Sequence, residues 1–171
     1  MKTNIKKEIF EWLLYISVAL LISFGIRQYI FQPYRVQMGS MMPTLKENDL
    51  VLVDKIEYKL RDPKRGDVIV FRPPTLDNVF YIKRVIGVPG DVVEVKDGFV
   101  YINQEKIMEP YLVVETPGIY GPKVLNIDEY FVMGDHRNNS LDSREFGPIQ
   151  YQSIAGKAFF VLWPAKDLKK L

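Results

Sequence analysis

A serine beside a glycine is the first feature whose residue types suit hydrolytic chemistry. Ser40 follows Gly39 in the segment GSMMPTL, residues 39–45. Gly39 leaves the backbone before the serine without a side chain, so another chain can approach it closely, and Pro43 restrains the turn that follows. Ser40 is therefore a candidate nucleophile, although a serine next to a glycine is also typical of a purely structural turn.

A lysine within an apolar strand pattern is the second candidate. Residues 81–87 read YIKRVIG, and the adjacent Lys83 and Arg84 point to opposite faces of a strand, so one of them is expected to point inward. Burial favours the neutral amine of a lysine, which is a usable general base. An edge strand with both cations in water is the alternative, and the pattern alone leaves it open.

The loop at residues 134–144, GDHRNNSLDSR, is the third candidate because it crowds hydroxyl, amide, carboxylate and guanidinium groups together. Such a loop can hold a hydrogen-bond network that orients a base, or it can be a hydrophilic surface turn. Hydrolysis by paired Asp135 and Asp142 is disfavoured, since neighbouring cations keep both ionised. A Ser-His-Asp triad that uses His136 is disfavoured, because the G-x-S-x-G pattern of a nucleophile elbow is absent. We therefore expect His136 to make a hydrogen bond within the loop.

The composition excludes several classes of site. The chain has no cysteine and one histidine, which rules out disulfides, thiol catalysis and histidine-rich metal sites. Walker and dinucleotide-binding glycine patterns are absent as well, so we expect neither a metal nor another cofactor. Basic and acidic side chains balance after residue 31, which argues against a nucleic-acid partner.

These candidate groups are preceded by an apolar segment. Trp12–Ile26 is uncharged and apolar on every face, which suits lipid, and apolar neighbours extend it to the roughly 20 residues that cross a bilayer. We predict a transmembrane anchor over residues 9–31, and a cytoplasmic N-terminus over residues 1–8 because that stretch carries three lysines. A cleaved signal peptide ending near Ser23–Gly25 and a soluble helix are the alternatives.

The rest of the chain, residues 32–171, is predicted to be a mostly β domain. Short apolar runs between turn residues predict strands at 50–53, 68–71, 79–88, 92–95, 99–102, 130–133 and 158–163. Many short strands with glycine and proline turns are typical of an antiparallel barrel or sandwich-like fold. Residues 103–129 are rich in proline and glycine, so we expect a small insertion that leaves the main sheet.

Four segments, taken in order, resemble the conserved boxes of the bacterial type I signal peptidases (leader peptidases, peptidase family S26). They are Ser40–Leu45, Arg65–Phe71, Tyr81–Asp91 and Gly134–Arg144. The resemblance implies the compact, Gram-positive-like form: an antiparallel, barrel-like catalytic domain behind one transmembrane helix. It also implies a plasma-membrane serine endopeptidase, with its catalytic domain outside the cytoplasm, that removes signal peptides from exported preproteins.

The same resemblance implies a role for each matching residue. Ser40 matches the nucleophile and Lys83 the general base of a Ser–Lys dyad. Ser140 matches a hydroxyl that orients the lysine amine, while Asp142 and Arg144 match an ion pair that shapes the site.

Two positions depart from the family pattern. Met38 stands where some relatives carry a hydroxyl that donates to the oxyanion, so the Ser40 backbone N–H and another amide must serve instead. Loss of one such donor can cost ~10²–10³ in rate. His136 stands where an asparagine is more common, and we expect it to preserve the hydrogen bonding.

The preprotein is expected to bind as an extended chain beside residues 32–38 and 80–83, by strand addition. The candidate substrate-binding residues are Val36, Gly39, Tyr81 and Ile82. Two other functions stay open: an inactive membrane-tethered module that binds export signals, and a self-cleaving Ser–Lys peptidase. The second is disfavoured, because such proteins carry a DNA-binding module where this chain has an apolar helix.

Overall fold

The N-terminal helix is long enough to cross a membrane. The structure, a computed structural model, describes residues 5–74 and 79–171, so part of the predicted N-terminal stretch 1–8 lies outside the described residues. Helix α1 spans Ile5–Tyr29, and its 25 residues, none of them buried, make it about 37 Å long. It ends before the predicted boundary at residue 31, because Phe31 already pairs with Asp54 in the first strand pair.

The remainder of the described chain is mostly β, as the sequence predicted. Its elements, in chain order, are β1 Phe31–Arg35, β2 Leu50–Asp54, α2 Glu57–Leu60, β3 Val68–Phe71, β4 Tyr81–Gly87, β5 Val92–Lys96, β6 Phe99–Ile102, β7 Glu105–Lys106, β8 Tyr120–Val124, β9 Glu129–Met133, α3 Ser143–Phe146, β10 Ile149–Gln150, β11 Ile154–Trp163 and β12 Lys169–Lys170. Each of the seven predicted strands overlaps one of these. The strand pairs are antiparallel.

The described strands form two sheets. The larger sheet has the order β1-β2-β11-β3-β4-β9-β10, with β12 on β11, and the smaller has the order β7-β6-β5-β8. Strand β11 pairs with both β2 and β3, and register shifts along it bend the larger sheet. Alternation places Val51 and Val53 of β2 in the core between the curled strands.

The region 103–129 is more ordered than the sequence suggested. Strands β7 and β8 extend the smaller sheet by pairing with β6 and β5. Their pairing completes a core cluster that includes Val93, Val95 and Leu125. Both strands lie outside the larger sheet, and residues 107–118 between them contain no strand or helix.

Candidate active site

The side chains of Ser40 and Lys83, the predicted nucleophile and base, are in direct contact. Ser40 lies on a 3-10 turn, Gly39–Met41, that follows β1, and the Met42 N–H closes this turn by donating to the Gly39 carbonyl. Lys83 lies on β4, and its Nζ is 2.6 Å from Ser40 Oγ. A hydroxyl hydrogen-bonded to an amine is the arrangement that nucleophilic catalysis by serine requires.

The amine of Lys83 lies in a dry environment. Lys83 is 2% exposed, and this burial lowers the pKa of the amine from 10.5 to about 8. The negative charge of Asp142 opposes the shift, and the positive charge of Arg144 adds to it. A substantial fraction of the amine is therefore neutral near physiological pH and able to accept a proton.

Arg84 is buried on the opposite face of the same strand. The alternative of an edge strand with both cations in water is therefore wrong. The smaller sheet and residues 107–118 cover this face of β4. Asp135 balances the charge through two hydrogen bonds of 2.9 and 2.6 Å, and the Gly66 carbonyl accepts a third. Burial lowers the pKa of Arg84, but the hydrogen bonds and charge of Asp135 outweigh it and raise the pKa overall.

The loop at residues 134–144, which we call the polar loop, has a second carboxylate paired with an arginine, as Asp135 is with Arg84. Asp142 accepts hydrogen bonds from Arg144 Nε and Nη2, each at 2.9 Å, and from the Gly134 N–H at 3.0 Å. These bonds hold the two ends of the loop together. Among the described residues, no group of three histidine or acidic side chains is placed to hold a metal ion.

Ser140 lies inside the site but does not make the contact that the resemblance implies. Its Oγ is buried and has no hydrogen-bond partner among the described residues, Lys83 Nζ included. Gly134 packs closely between Ser140 and Ser40: a Cβ added to this glycine would collide with the Ser140 hydroxyl and the Ser40 carbonyl. The hydroxyl therefore borders the nucleophile segment, with its hydrogen-bonding capacity unused.

The backbone around Ser40 is held from one side and open on the other. The His136 N–H donates to the Ser40 carbonyl at 3.0 Å, and the His136 ring Nδ1 lies 3.3 Å from the Gly39 carbonyl. The imidazole is thus bonded to the turn. Among the described residues, the Ser40 N–H donates to no side chain and to no backbone acceptor outside its own 3-10 turn, which leaves it available to an oxyanion. Met38 is 54% exposed at the groove, and its thioether cannot donate.

A groove of about 470 Å³ leads to the dyad. Its lining residues are Pro33, Tyr34, Arg35, Val36, Gln37, Met38, Ser40, Met41, Val79, Phe80, Tyr81, Ile82 and Lys83. Three of the four predicted substrate-binding residues belong to this lining. The fourth, Gly39, does not, because its Cα faces the Met42 side chain, whose Sδ would lie 3.0 Å from an added Cβ.

Two aromatic residues of the groove were not among the predicted substrate-binding residues. The rings of Tyr34 and Phe80 pack edge to face, with their centroids 5.4 Å apart. Tyr34 lies on β1, and Phe80 directly precedes β4, so the contact joins the two walls. Both occur in segments that the sequence had assigned to substrate binding, but a cross-wall contact leaves no pattern in a single sequence.

Both walls of the groove present a free strand edge. Strand β1 pairs only with β2 among the described strands. Strand β4 pairs with β3 along Tyr81–Arg84, but its pairing with β9 begins only at Arg84. Among the described residues, the backbone of residues 81–83 thus has one unpaired side, which lies next to the groove.

Comparisons with known proteins agree on one family. Residues 9–163 match the family described as signal peptidase, peptidase S26. The chain is 38% identical to signal peptidase I of Bacillus licheniformis, covering 98% of this chain and 96% of that protein. It is 40% identical to signal peptidase IB of Staphylococcus aureus, covering 96% of this chain and 94% of that protein. A crystal structure of a signal peptidase I from Enterococcus faecalis is 31% identical, with a TM-score of 0.51 over 57% of this chain and 97% of that one.

Proposed function

Because this chain belongs to the signal peptidase family, peptidase S26, we propose that it cleaves signal peptides from exported preproteins with Ser40 as nucleophile and Lys83 as base. Members of this family are membrane-bound serine peptidases. The observation that carries the assignment of residues is the 2.6 Å contact between the serine hydroxyl and a buried lysine amine whose pKa is about 8.

The reaction follows from this geometry. The neutral Lys83 amine takes the proton of Ser40 Oγ while that oxygen attacks the scissile carbonyl, and the free Ser40 N–H stabilises the oxyanion. The C–N bond then breaks, and the protonated lysine gives its proton to the leaving amine. Lys83 next deprotonates a water molecule, which attacks the ester and releases the signal peptide from Ser40.

The preprotein lies extended in the groove, between the free edges of β1 and β4. An added strand satisfies the backbone hydrogen bonds of both edges, which explains why the walls stay open. Val36 and Ile82 line the groove near Ser40, and Tyr81 is beside them on β4. Their apolar surface suits small apolar side chains next to the cleaved bond.

The helix holds this groove at the membrane surface. Strand β1 begins at Phe31, two residues after α1 ends at Tyr29, and residues 33–36 already line the groove. With Lys6 and Lys7 at one end of α1, the N-terminus stays in the cytoplasm, and the domain of residues 32–171 lies outside. Protease added to intact spheroplasts should degrade an epitope fused after Leu171 and spare one fused before Met1.

The dyad is tested by cleavage of a labelled preprotein with the detergent-solubilised full chain. The wild type should cut after a small-x-small motif, and Ser40→Ala and Lys83→Ala should lose at least ~10³ of the rate. Ser153→Ala and Lys166→Ala serve as matched controls away from the groove and should cut as the wild type does. Undiminished cutting by either dyad variant would refute the assignment of residues.

A further inference from the structure

The segment 107–118, which contains no strand or helix, sends two side chains to the buried arginines around the dyad. Glu109 and Tyr111 are joined to one another, because the Tyr111 hydroxyl donates to Glu109 Oε1 at 2.7 Å. The ring of Tyr111 lies against the guanidinium of Arg84, whose Cζ is 4.1 Å from the ring centroid. We refer to Glu109 and Tyr111 together as the bridge.

The other end of the bridge holds the polar loop. Glu109 binds Arg137 through both carboxylate oxygens, with Nη1 3.0 Å from Oε2 and Nη2 bonded to Oε1. Arg137 is 1% exposed, and Thr116 accepts a further bond from its Nη1. Arg137 Nε in turn donates to the Gly134 carbonyl at 3.1 Å, so Glu109 fixes the first turn of the loop through this arginine.

Each half of the dyad depends on one end of this connection. Arg84 directly follows Lys83 on β4, so stacking on Tyr111 restrains the strand that carries the base. Arg137 restrains the turn whose His136 N–H holds the Ser40 carbonyl. The bridge therefore spans from the lysine strand to the serine backbone, outside the groove itself.

We propose that Glu109 and Tyr111 are positioning residues that set the distance between Ser40 and Lys83, an inference that rests on the proposed function. Without Glu109 the buried Arg137 has lost its neutralising partner and must find water or another acceptor, which displaces the loop. A displacement of about 1 Å at a catalytic pair costs on the order of 10² in rate.

The test compares bridge variants with neighbours on the same segment. Glu109→Ala and Tyr111→Leu should lower kcat 10- to 100-fold and change KM less than 3-fold, since neither residue lines the groove. Tyr111→Phe keeps the ring against Arg84, and Glu109→Gln keeps an acceptor for Arg137. Each should therefore retain more activity than the larger change at the same position. Met108→Ala and Val113→Ala, at positions 94% and 71% exposed, should match the wild type.

A second readout separates positioning from folding. Looser packing admits water to Lys83, so the pH midpoint of kcat/KM should move upward in the bridge variants that remain folded. Thermal unfolding identifies the variants that remain folded. If the larger changes unfold the protein, kcat and the pH midpoint are measured in Glu109→Gln and Tyr111→Phe instead.

Three results would count against the bridge. Wild-type kcat in folded Glu109→Ala and Tyr111→Leu would overturn the inference, and so would a loss confined to KM. Cleavage by Ser40→Ala in the same assay would instead overturn the proposed function, and with it the idea that the bridge positions Ser40.

Discussion

Lys83 Nζ and Ser40 Oγ lie 2.6 Å apart although 43 positions separate them in the chain. The contact arises because the turn that follows β1 packs on β4, while β4 is fixed in the sheet by its pairing with β3. The same packing removes water from the amine and lowers its pKa to about 8. Fold and reactivity of the dyad therefore share one cause, the burial of β4.

The pH dependence of cleavage should report this burial. In the proposed mechanism only the neutral Lys83 amine accepts the serine proton, so kcat/KM should rise with pH through a midpoint near 8 and level off above it. The measurement is kcat/KM for a peptide substrate across the pH range, with Ser153→Ala as the control. A midpoint near 10.5, the ordinary value for lysine, would show that the amine is hydrated in the active enzyme.

Replacing Lys83, the proposed base, should stabilise the protein. In the window between pH 8 and 10.5 the unfolded chain still binds the Lys83 proton that the folded chain has lost, so wild-type stability rises with pH there. Below pH 8 the folded state carries the full cost of a buried charge, roughly 3 kcal/mol. Lys83→Met should raise the free energy of unfolding by roughly 2–3 kcal/mol at pH 7, as measured by denaturant unfolding in detergent. A gain that does not fade above pH 10 would have another cause.

Much of this fold can be predicted from local sequence pattern. The short apolar runs of β2 and β3, each bounded by charged or turn residues, mark strands, and the family boxes point to Ser40 and Lys83. Pattern could not show that β4 is covered on both faces, because the residues that cover Arg84 come from a distant segment. The contact of Tyr111 with Arg84 spans 27 positions and leaves no local signal.

Two expectations about single residues differ from the structure, because they could not be derived from sequence alone. Gly39 was expected at the substrate, but the turn at Gly39–Met41 directs its Cα towards Met42. Ser140 was expected to bond Lys83, yet no bond forms. Turn orientation and hydroxyl rotation depend on packing between segments, so neither can be read from spacing alone.

The buried ion pair behind the base should be sensitive to loss of one charge. Asp135→Asn leaves the Arg84 guanidinium, on a buried face of β4, without its carboxylate, which typically costs about 3–5 kcal/mol. Lys46→Ala removes the exposed partner of Asp167, a pair 3.3 Å apart, and should cost less than about 1 kcal/mol. Thermal or denaturant unfolding of the two variants gives the comparison, and equal losses would mean that Asp135 is not the charge that neutralises Arg84.

The unused hydroxyl of Ser140 should matter for catalysis and not for stability. A buried hydroxyl without a partner contributes no hydrogen bond to the folded state, so Ser140→Ala should leave the free energy of unfolding unchanged or slightly higher. In the proposed mechanism Lys83 becomes an ammonium group in a dry site once it has taken the serine proton, and a free acceptor bordering the Ser40 segment is then most valuable. We therefore expect kcat to fall 10- to 100-fold in Ser140→Ala, with KM little changed. Ser143→Ala provides the contrast, since Ser143 Oγ accepts a bond from the Val132 N–H at 2.9 Å, and it should lose stability. A Ser140→Ala enzyme with wild-type kcat would show that the lysine needs no hydroxyl at this position.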